Sequence, residues 1–498
     1  MRGPQRHRAD PGQILVIFAA ATVLLIAFLA AAVDVGHLLS QRRGVQNAAD
    51  AAALAVAHAV YTGVTDAGTL NQIAAYYVRQ NGYDAAPAVT LDLPNKRVTV
   101  DVRADVPKFF VAAVYPGDWR VGAHAVAALE PVPKDYGLLA LQETGNPINL
   151  TGNVDIHVAG GGAMSNGGMR CTGNGALTAD TTVDANKGFS KTGNCGFDGA
   201  LGETPNAPVV EDPLRQVPPP PKPAKPSLGS PVSCTQSGSR YTCPPGRMTT
   251  GISASGNNVV IEFAAGDHQV IGADISASGN NPTIILNPGT YYFSNADLRL
   301  TGNNGTLIMR PGTYTFYMEN GSMVFTGNAG GYQATNTSAT FYFKDSTVDF
   351  TGNVATDIPP GIYYFDGKGP RLTGNQKVTG WEVFFYFDNG ASWDNTGNTG
   401  YDFRAAEQPL YPGMPPGLLM FSARDNATEF KMTGNANTFL RGVVYLPKAQ
   451  LRMTGNASGV WAEGQLIVNS LSNVGNTDVT VKYKKYVDVE VPAVFLVE

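Results

Sequence analysis

The side chains in this sequence that could do chemistry are carboxylates and cysteines, and their spacing limits what that chemistry could be. Asp345 and Asp366 stand 21 residues apart. That separation brings two carboxylates together only if the chain repeats with such a period, and a converging pair could then do the acid and base work of glycan cleavage. Asp394, Asn395, Asn398 and Asp402 put oxygen donors in a short stretch, as a calcium loop would, but without the EF-hand pattern. Cys171 with Cys195, and Cys234 with Cys243, form two local pairs able to close as disulfides in an oxidising compartment. Four cysteines allow three connectivities, and spacing favours the local one. Zinc is the weaker reading, since C-x-x-C does not occur and the six histidines are dispersed. G-x-S-x-G, H-E-x-x-H and the P-loop are missing, and the Gly-rich stretch Gly160 to Gly168 lacks a Lys-Ser/Thr to cradle phosphate. No catalytic, cofactor-binding or metal-binding residue is therefore assigned, and the chain is read as not an enzyme.

What must position these residues is a repeat. Thr-Gly-Asn begins at Thr144, Thr151, Thr172, Thr192, Thr301, Thr326, Thr351, Thr373, Thr396, Thr433 and Thr454, with Ser-Gly-Asn at Ser255 and Ser278 and Val-Gly-Asn at Val474. The intervals within runs are 20 to 25 residues, as between 301, 326 and 351, which suits one coil of a parallel β-helix. A second phrase recurs between these marks: Asn287-Pro-Gly-Thr-Tyr-Tyr-Phe, Arg310-Pro-Gly-Thr-Tyr-Thr-Phe and Pro359-Pro-Gly-Ile-Tyr-Tyr-Phe. Each is a Pro-Gly turn followed by an aromatic, strand-favouring run, so a coil is expected to hold a strand, a turn, a second strand and another turn. The repeated asparagine has a physical use. At one turn in coils about 4.8 Å apart, side-chain amides form a hydrogen-bonded ladder while the preceding glycine supplies a corner with φ > 0. The ladder residues on this reading are Asn153, Asn174, Asn194, Asn257, Asn280, Asn303, Asn328, Asn353, Asn375, Asn398, Asn435 and Asn456. An exposed flat array for sugar or ice is the competing use of the same tripeptide.

Phe341-Tyr-Phe343, Tyr363-Tyr-Phe365 and Phe384-Phe-Tyr-Phe387 place about every second ring outside a strand, so stacked coils align a stripe of rings. The stripe is either covered by neighbouring loops or the linker, or serves as a surface for a glycan or partner.

The 498 residues are turn-rich and weakly charged, with 57 Gly, 33 Pro and 15% charged side chains, which favours a mainly β exterior. A net charge of −5 with scattered bases leaves no basic stripe for nucleic acid. Residues 71–130 read as a small α+β unit: a short helix over Gln72 to Gln80, a hairpin of Val89 to Leu93 and Val98 to Val106, a helix over Pro107 to Val114, and a strand over Trp119 to Leu129. PLRQVPPPPKPAKP, from Pro213 to Pro226, must be extended and is a stiff linker or a long loop.

At the N-terminus an apolar segment from Ile14 to Val33 runs into an Ala-rich stretch. Twenty residues at about 1.5 Å each span about 30 Å, the thickness of a bilayer core. The run exceeds a signal-peptide h-region and passes without turn residues into more helix, so it is read as a retained anchor. Arg2, Arg6 and Arg8 before it against Arg42 and Arg43 after it put residues 1–13 in the cytoplasm, by a narrow margin, and the bulk of the chain outside.

Gly12-Gln13, the apolar span, and AVDVGHLLSQRRGVQNAADAAALA from Ala32 to Ala55 resemble the N-terminal module of TadG-like proteins of the bacterial Flp (tight adherence) pilus system. The likeness continues through RVTVDVRADVPKFFVAAVYPGDWRVGAHAVAALE, from Arg97 to Glu130, and covers about a quarter of the chain. It implies a bitopic envelope protein partnered with Tad/Flp pilus assembly proteins or engaged in surface attachment. The sequence departs from the pattern in two places. A prepilin-peptidase site wants a Glu about five residues past Gly12, where Gln13 to Ile17 stand instead. The von Willebrand A-type metal motif D-x-S-x-S is matched by Asp274-Ile-Ser276-Ala-Ser278, but the phrase recurs as Gly251-Ile-Ser253-Ala-Ser255 with Gly in place of Asp, which assigns the serines to the repeat.

The expected organisation is a cytoplasmic N-terminus (1–13), a transmembrane helix (14–33), an Ala-rich helix continuing it (34–62), a small α+β module (63–135), first β-helix coils (136–200), a Pro-rich linker or loop with a cysteine pair (201–248) and the main β-helix (249–498). The expected role is a single-pass, extracytoplasmic structural protein of pilus assembly or adhesion, its β-helix a spacer or a surface for a glycan or other ligand. The alternatives are a membrane-tethered glycan-active β-helix enzyme, and an adhesin or glycan-binding protein independent of pili.

Overall fold

The computed structural model describes residues 11–61, 64–92, 94–113, 116–328, 331–353, 355–433, 438–456 and 458–497. They fall into two units, Met1–Val132 with Pro492–Glu498, and Pro133–Val491.

In the first unit, helix α1 runs from Pro11 to Tyr61. Its apolar part is exposed, with Phe18 at 70% and Phe28 at 68%, and this is the one helix among the described residues long and apolar enough to cross a membrane. Further along, Val45, Ala49, Ala52, Ala53 and Val56 are buried, a spacing that lines one side of a helix. They share a core with Leu70, Ala74 and Val78 of α2 (Ala67–Gln80) and with Val98, Val100 and Val102 of the sheet. Helix α2 starts ahead of the predicted Gln72 because Asp66 caps it, its carboxylate accepting from the Thr69 backbone N–H at 2.7 Å. The sheet orders β1 (Ala88–Asp92), β2 (Arg97–Val106), β3 (Trp119–Lys134) and a C-terminal strand, Val489–Leu496. That last strand leaves the solenoid, where the sequence reading carries the β-helix through to 498. Where a helix over Pro107 to Val114 is expected, the described residues 107–113 hold a 3₁₀ turn, Val111–Ala113, and no α-helix; Val114 lies outside the described residues.

The second unit is a parallel β-solenoid of about 14 turns. A coil holds three strands, not the two expected, as in Gly289–Ser294, Leu298–Asn303 and Thr306–Met309. The second and third run together in the sequence because only the Gly-Asn corner parts them. Each strand pairs in parallel with its copy in the next coil, Leu298–Asn303 on Ile275–Asn280 and on Met323–Asn328. Inward rings stack along the axis: Phe316 on Phe341 at 4.7 Å, Phe341 on Tyr363 at 4.6 Å, and Phe365 on Phe387 at 5.4 Å.

The coils are not stacked in chain order throughout. From residue 246 each coil adds to the previous one until the last, 464–482, which pairs in register with the first segment of the unit, Leu138–Ala140 and Ile148–Ala159. The stack then continues through 162–179 to 189–205. The chain thus enters the solenoid part-way along it, builds to one end, returns to the other, and builds back to where it entered. The Pro-rich segment makes the return.

Candidate functional site: two faces of the solenoid

The strand that follows each Pro-Gly corner sends alternate rings outward, and Tyr292, Tyr317, Tyr342, Tyr364 and Tyr386 form a column with ring centres 4.7 to 5.5 Å apart, extended by Phe421 and Tyr445. All are buried, in a second apolar cluster that includes Val210, Leu214 and Tyr411. What covers them is the return segment. Asn166 exchanges two 2.8 Å hydrogen bonds with the Val210 backbone; Arg424 donates to the Leu214 and Val217 carbonyls; Tyr411 donates to the Pro218 carbonyl at 3.0 Å; Gln269 accepts from the Gly229 N–H at 2.8 Å; and the Arg247 backbone donates to the Ser230 carbonyl and accepts from the Val232 N–H, each at 2.8 Å. In the order of the chain, these partners step down the stack. Residues 213–216 form a turn; beyond it, about thirteen residue steps from Val217 to Ser230 at about 3.1 Å each reach about 40 Å, and the roughly seven coil spacings of about 4.8 Å from the Arg424 coil to the Arg247 coil amount to about 34 Å. The strap has the length its path requires.

Two lysines fasten the strap. A polyproline II helix turns once in three residues, so Lys222 and Lys225 share one side and are offset by about 9 Å, close to two coil spacings. Lys222 reaches Asp366 at 3.0 Å and Asp388 at 3.2 Å, two coils from Glu319, which Lys225 reaches at 2.7 Å. Their ammonium groups lie over the rings of Tyr364 and Tyr292, at 5.2 and 5.5 Å from the centroids. The same carboxylates accept tyrosine hydroxyls from the neighbouring coil: Tyr292 to Glu319 and Tyr342 to Asp366, each at 2.6 Å, and Tyr364 to Asp388 at 2.7 Å. Burial works against ionisation of Glu319, but hydrogen bonds from Lys225, Tyr292 and Ser294 outweigh it and hold its pKa below the ordinary value. Asp366 is lowered likewise, burial being overcome by Asn389, Tyr342 and Lys222. Burial opposes the charge on Lys222, and its bonds to Asp366 and Asp388 raise its pKa in spite of that. Burial, with the Asp388 hydrogen bond, pushes the Tyr364 hydroxyl far above its usual range.

The other repeated face is open and closes on itself. At the corner between second and third strands, Asn280 donates to Asn257, Asn303 to Asn280, Asn328 to Asn303 and Asn353 to Asn328, at 3.0 to 3.3 Å. Asn398 donates to Asn375 at 3.2 Å. Asn194 donates to Asn174, Asn174 to Asn153, and Asn153 to Asn476, so the ladder crosses the junction between residues 323 apart in sequence. Asn476 escapes the Thr-Gly-Asn pattern because Val474 stands in place of Thr. A short parallel ladder of Asn258, Asn281 and Asn304 lies beside it; the doubled Asn-Asn at these corners was its sequence trace. Asn456 is exposed at its corner, and Asn435 lies outside the described residues. The glycine is doubly required: Gly302 has φ 119°, and a Cβ there would stand 2.1 Å from the Gly279 carbonyl oxygen.

The remaining candidates are scattered. Asp345 is joined to Asp366 through the backbone, its N–H donating to the Asp366 carbonyl at 2.7 Å, but the Asp366 carboxylate is held under the strap. Asn395 is buried, Asn398 lies in the ladder, and Asp402 meets Arg441 at 3.4 Å. Asp274 accepts from the Asp297 N–H at 2.9 Å, and Ser276 and Ser278 pair in register with Ser253 and Ser255. Cys171 is bonded to Cys195 in the neighbouring coil, and Cys234 to Cys243 across an antiparallel hairpin. A cleft of about 570 Å³ opens where the strap begins, lined by Glu143, Glu211, Asp212, Arg215, Arg424 and Lys448. Of these, Asp212 accepts from the Tyr445 hydroxyl, and Glu211 pairs with Arg215.

The described residues define a class: an N-terminal apolar helix and a small α+β unit, with a strapped parallel β-solenoid as a second unit of the chain. Within that class, residues 12–59 match the Flp pilus-assembly TadE/G-like family. No curated protein and no solved structure matches the chain.

Proposed function

We propose that this is a single-pass membrane protein of a Tad/Flp-type pilus system, with the solenoid outside the cytoplasm as a stiff structural element that spaces or presents a surface for attachment. The observation that carries this is the TadE/G-like match over the exposed apolar helix. The arginines before the span favour a cytoplasmic N-terminus, and the two disulfides suit an oxidising exterior. The protein acts as architecture rather than as a catalyst: Glu319, Asp366 and Asp388, the carboxylates nearest to a groove of rings, are engaged by lysines and tyrosines of the chain itself. If a ligand is bound on the solenoid, a glycan at the asparagine face is the form this role takes, since the tyrosine face is occupied.

Deleting the protein, and separately deleting 136–488 while keeping the rest, tests the proposal. Loss of pili in the first strain, with pili retained but surface attachment lost in the second, is expected. Normal pili and normal attachment in both would overturn it. Cleavage of a polysaccharide by the purified protein, abolished by substitution in the Glu143 cleft, would move the assignment to the glycan-active alternative.

A further inference from the structure

Immediately after the apolar span, Asp34 is 2% exposed. Its carboxylate is met by the backbone of a distant loop, accepting from the N–H groups of Phe109 and Phe110 at 3.0 Å and of Val111 at 2.5 Å. Three donors converging on one buried carboxylate fix the loop to the helix at the level of the last apolar residue, Val33. One helical turn on, His37 sets its ring edge against Phe109, with centroids 4.9 Å apart. The loop so fixed presents two aromatic side chains to solvent, Phe109 at 55% and Phe110 at 56% exposed. At the same level but turned to another side of the helix, Val35 and Leu39 are exposed too. An apolar collar of this kind is costly in water. It is continuous with a helix whose side chains from Ile14 to Val33 are equally exposed, and which requires a bilayer for the same reason.

We infer that Phe109 and Phe110 form a membrane-interface foot, seated at the headgroup and acyl boundary of the bilayer that Ile14–Val33 spans, with Asp34 as the positioning residue that holds it there. Phenylalanine on an apolar surface beside a membrane seats at the headgroup and acyl boundary, and a rigidly held pair adds a second point of attachment beside the helix. The foot restricts tilt and rotation of the α+β unit on the membrane. This rests on the membrane-anchor reading, and the experiment separates the two.

The full chain is reconstituted into phosphatidylcholine vesicles containing lipids brominated at shallow or deep acyl positions. Phe110→Trp, Phe109→Trp and, within the span, Leu25→Trp are compared with the parent by difference emission. The foot predicts blue-shifted emission at 109 and 110 and about a twofold loss of the added signal with shallow bromines, while Leu25→Trp is quenched most by deep ones. In the Phe110→Trp protein, Asp34→Ala releases the loop and abolishes its quenching, leaving that of Leu25→Trp unchanged. Water-like emission at 109 and 110, quenched by iodide and not by bromine, would overturn the foot while a quenched Leu25→Trp keeps the anchor. An unquenched Leu25→Trp would overturn the anchor as well. Protection from both quenchers would assign the pair to a protein contact and would also overturn the proposal.

Discussion

The asparagine corner and the tyrosine column are built from equally regular repeats, yet one is open and the other is sealed. At the corner, each amide is both donor and acceptor, so its copy one coil away satisfies it and the row needs nothing else. A tyrosine ring in a column covers only part of its neighbour, and its hydroxyl demands an acceptor. The column therefore recruits carboxylates, the carboxylates require cations, and both requirements are met by one segment carrying prolines for reach and lysines for charge. A repeat made of self-complementary polar groups is thus a finished surface, whereas a repeat made of amphipathic rings needs a partner, here supplied from within the chain.

The largest effect should come from removing that partner. Replacing 213–226 with an equally long Gly/Ser segment keeps the connection but loses the extended geometry and both lysines. The tyrosine face is then exposed, and the protein should bind a hydrophobic dye and self-associate, whereas a stripe able to stay open in water would leave it monomeric and dye-silent. Next comes Lys222→Ala, which leaves the largely buried Asp366 and Asp388 without their cation. Lys222 is itself about half exposed, so the cost is discounted to about 1–2 kcal/mol by urea denaturation. Acid should act on the same contacts. Glu319 and Asp366 have lowered folded values, so their contribution is present above the ordinary carboxylate range near pH 4 and is lost as pH falls through the folded values. Lys222 is raised, so its contribution is complete below about pH 10 and is lost as pH rises through its folded value. Strap release monitored by proteolysis should follow both limbs, and Lys222→Ala should flatten the alkaline one. The smallest effect should be Asn328→Ala: an exposed rung with two neighbours, costing about 0.5–1.5 kcal/mol and leaving the dye response unchanged. A larger loss there than at Lys222 would reverse the ranking of the two faces.

The periodic parts were legible because each unit meets its own copy. Thr-Gly-Asn marked the corners, and the Pro-Gly-aromatic phrase marked the strand that stacks its rings. Non-local pairings were not legible. The strand Val489–Leu496 gave no local sign that it returns to the sheet of the first unit, and nothing around Thr151 or Val474 states that their coils are neighbours beyond the shared Gly-Asn. Pro213 to Pro226 reads as extended, which holds from Val217 on, whereas 213–216 form a turn; its lysine spacing matches two coils, but a polyproline helix has no hydrophobic period to reveal which face it lies on. The sequence allows either cover or a ligand for the aromatic stripe; burial of Tyr292 to Tyr386 under the strap resolves that face in favour of cover. Asp34 drew no attention in the sequence because its donors are backbone groups 75 to 77 residues away.

The strap lies where its lysines meet the tyrosine-bound carboxylates, and zero-length carbodiimide cross-linking with peptide mass spectrometry tests this most directly, since Lys222 and Lys225 remain about half exposed. The expected products join Lys222 to Asp366 or Asp388 and Lys225 to Glu319 within one molecule. Folded protein in which both lysines react with other acids, or with none, would contradict it.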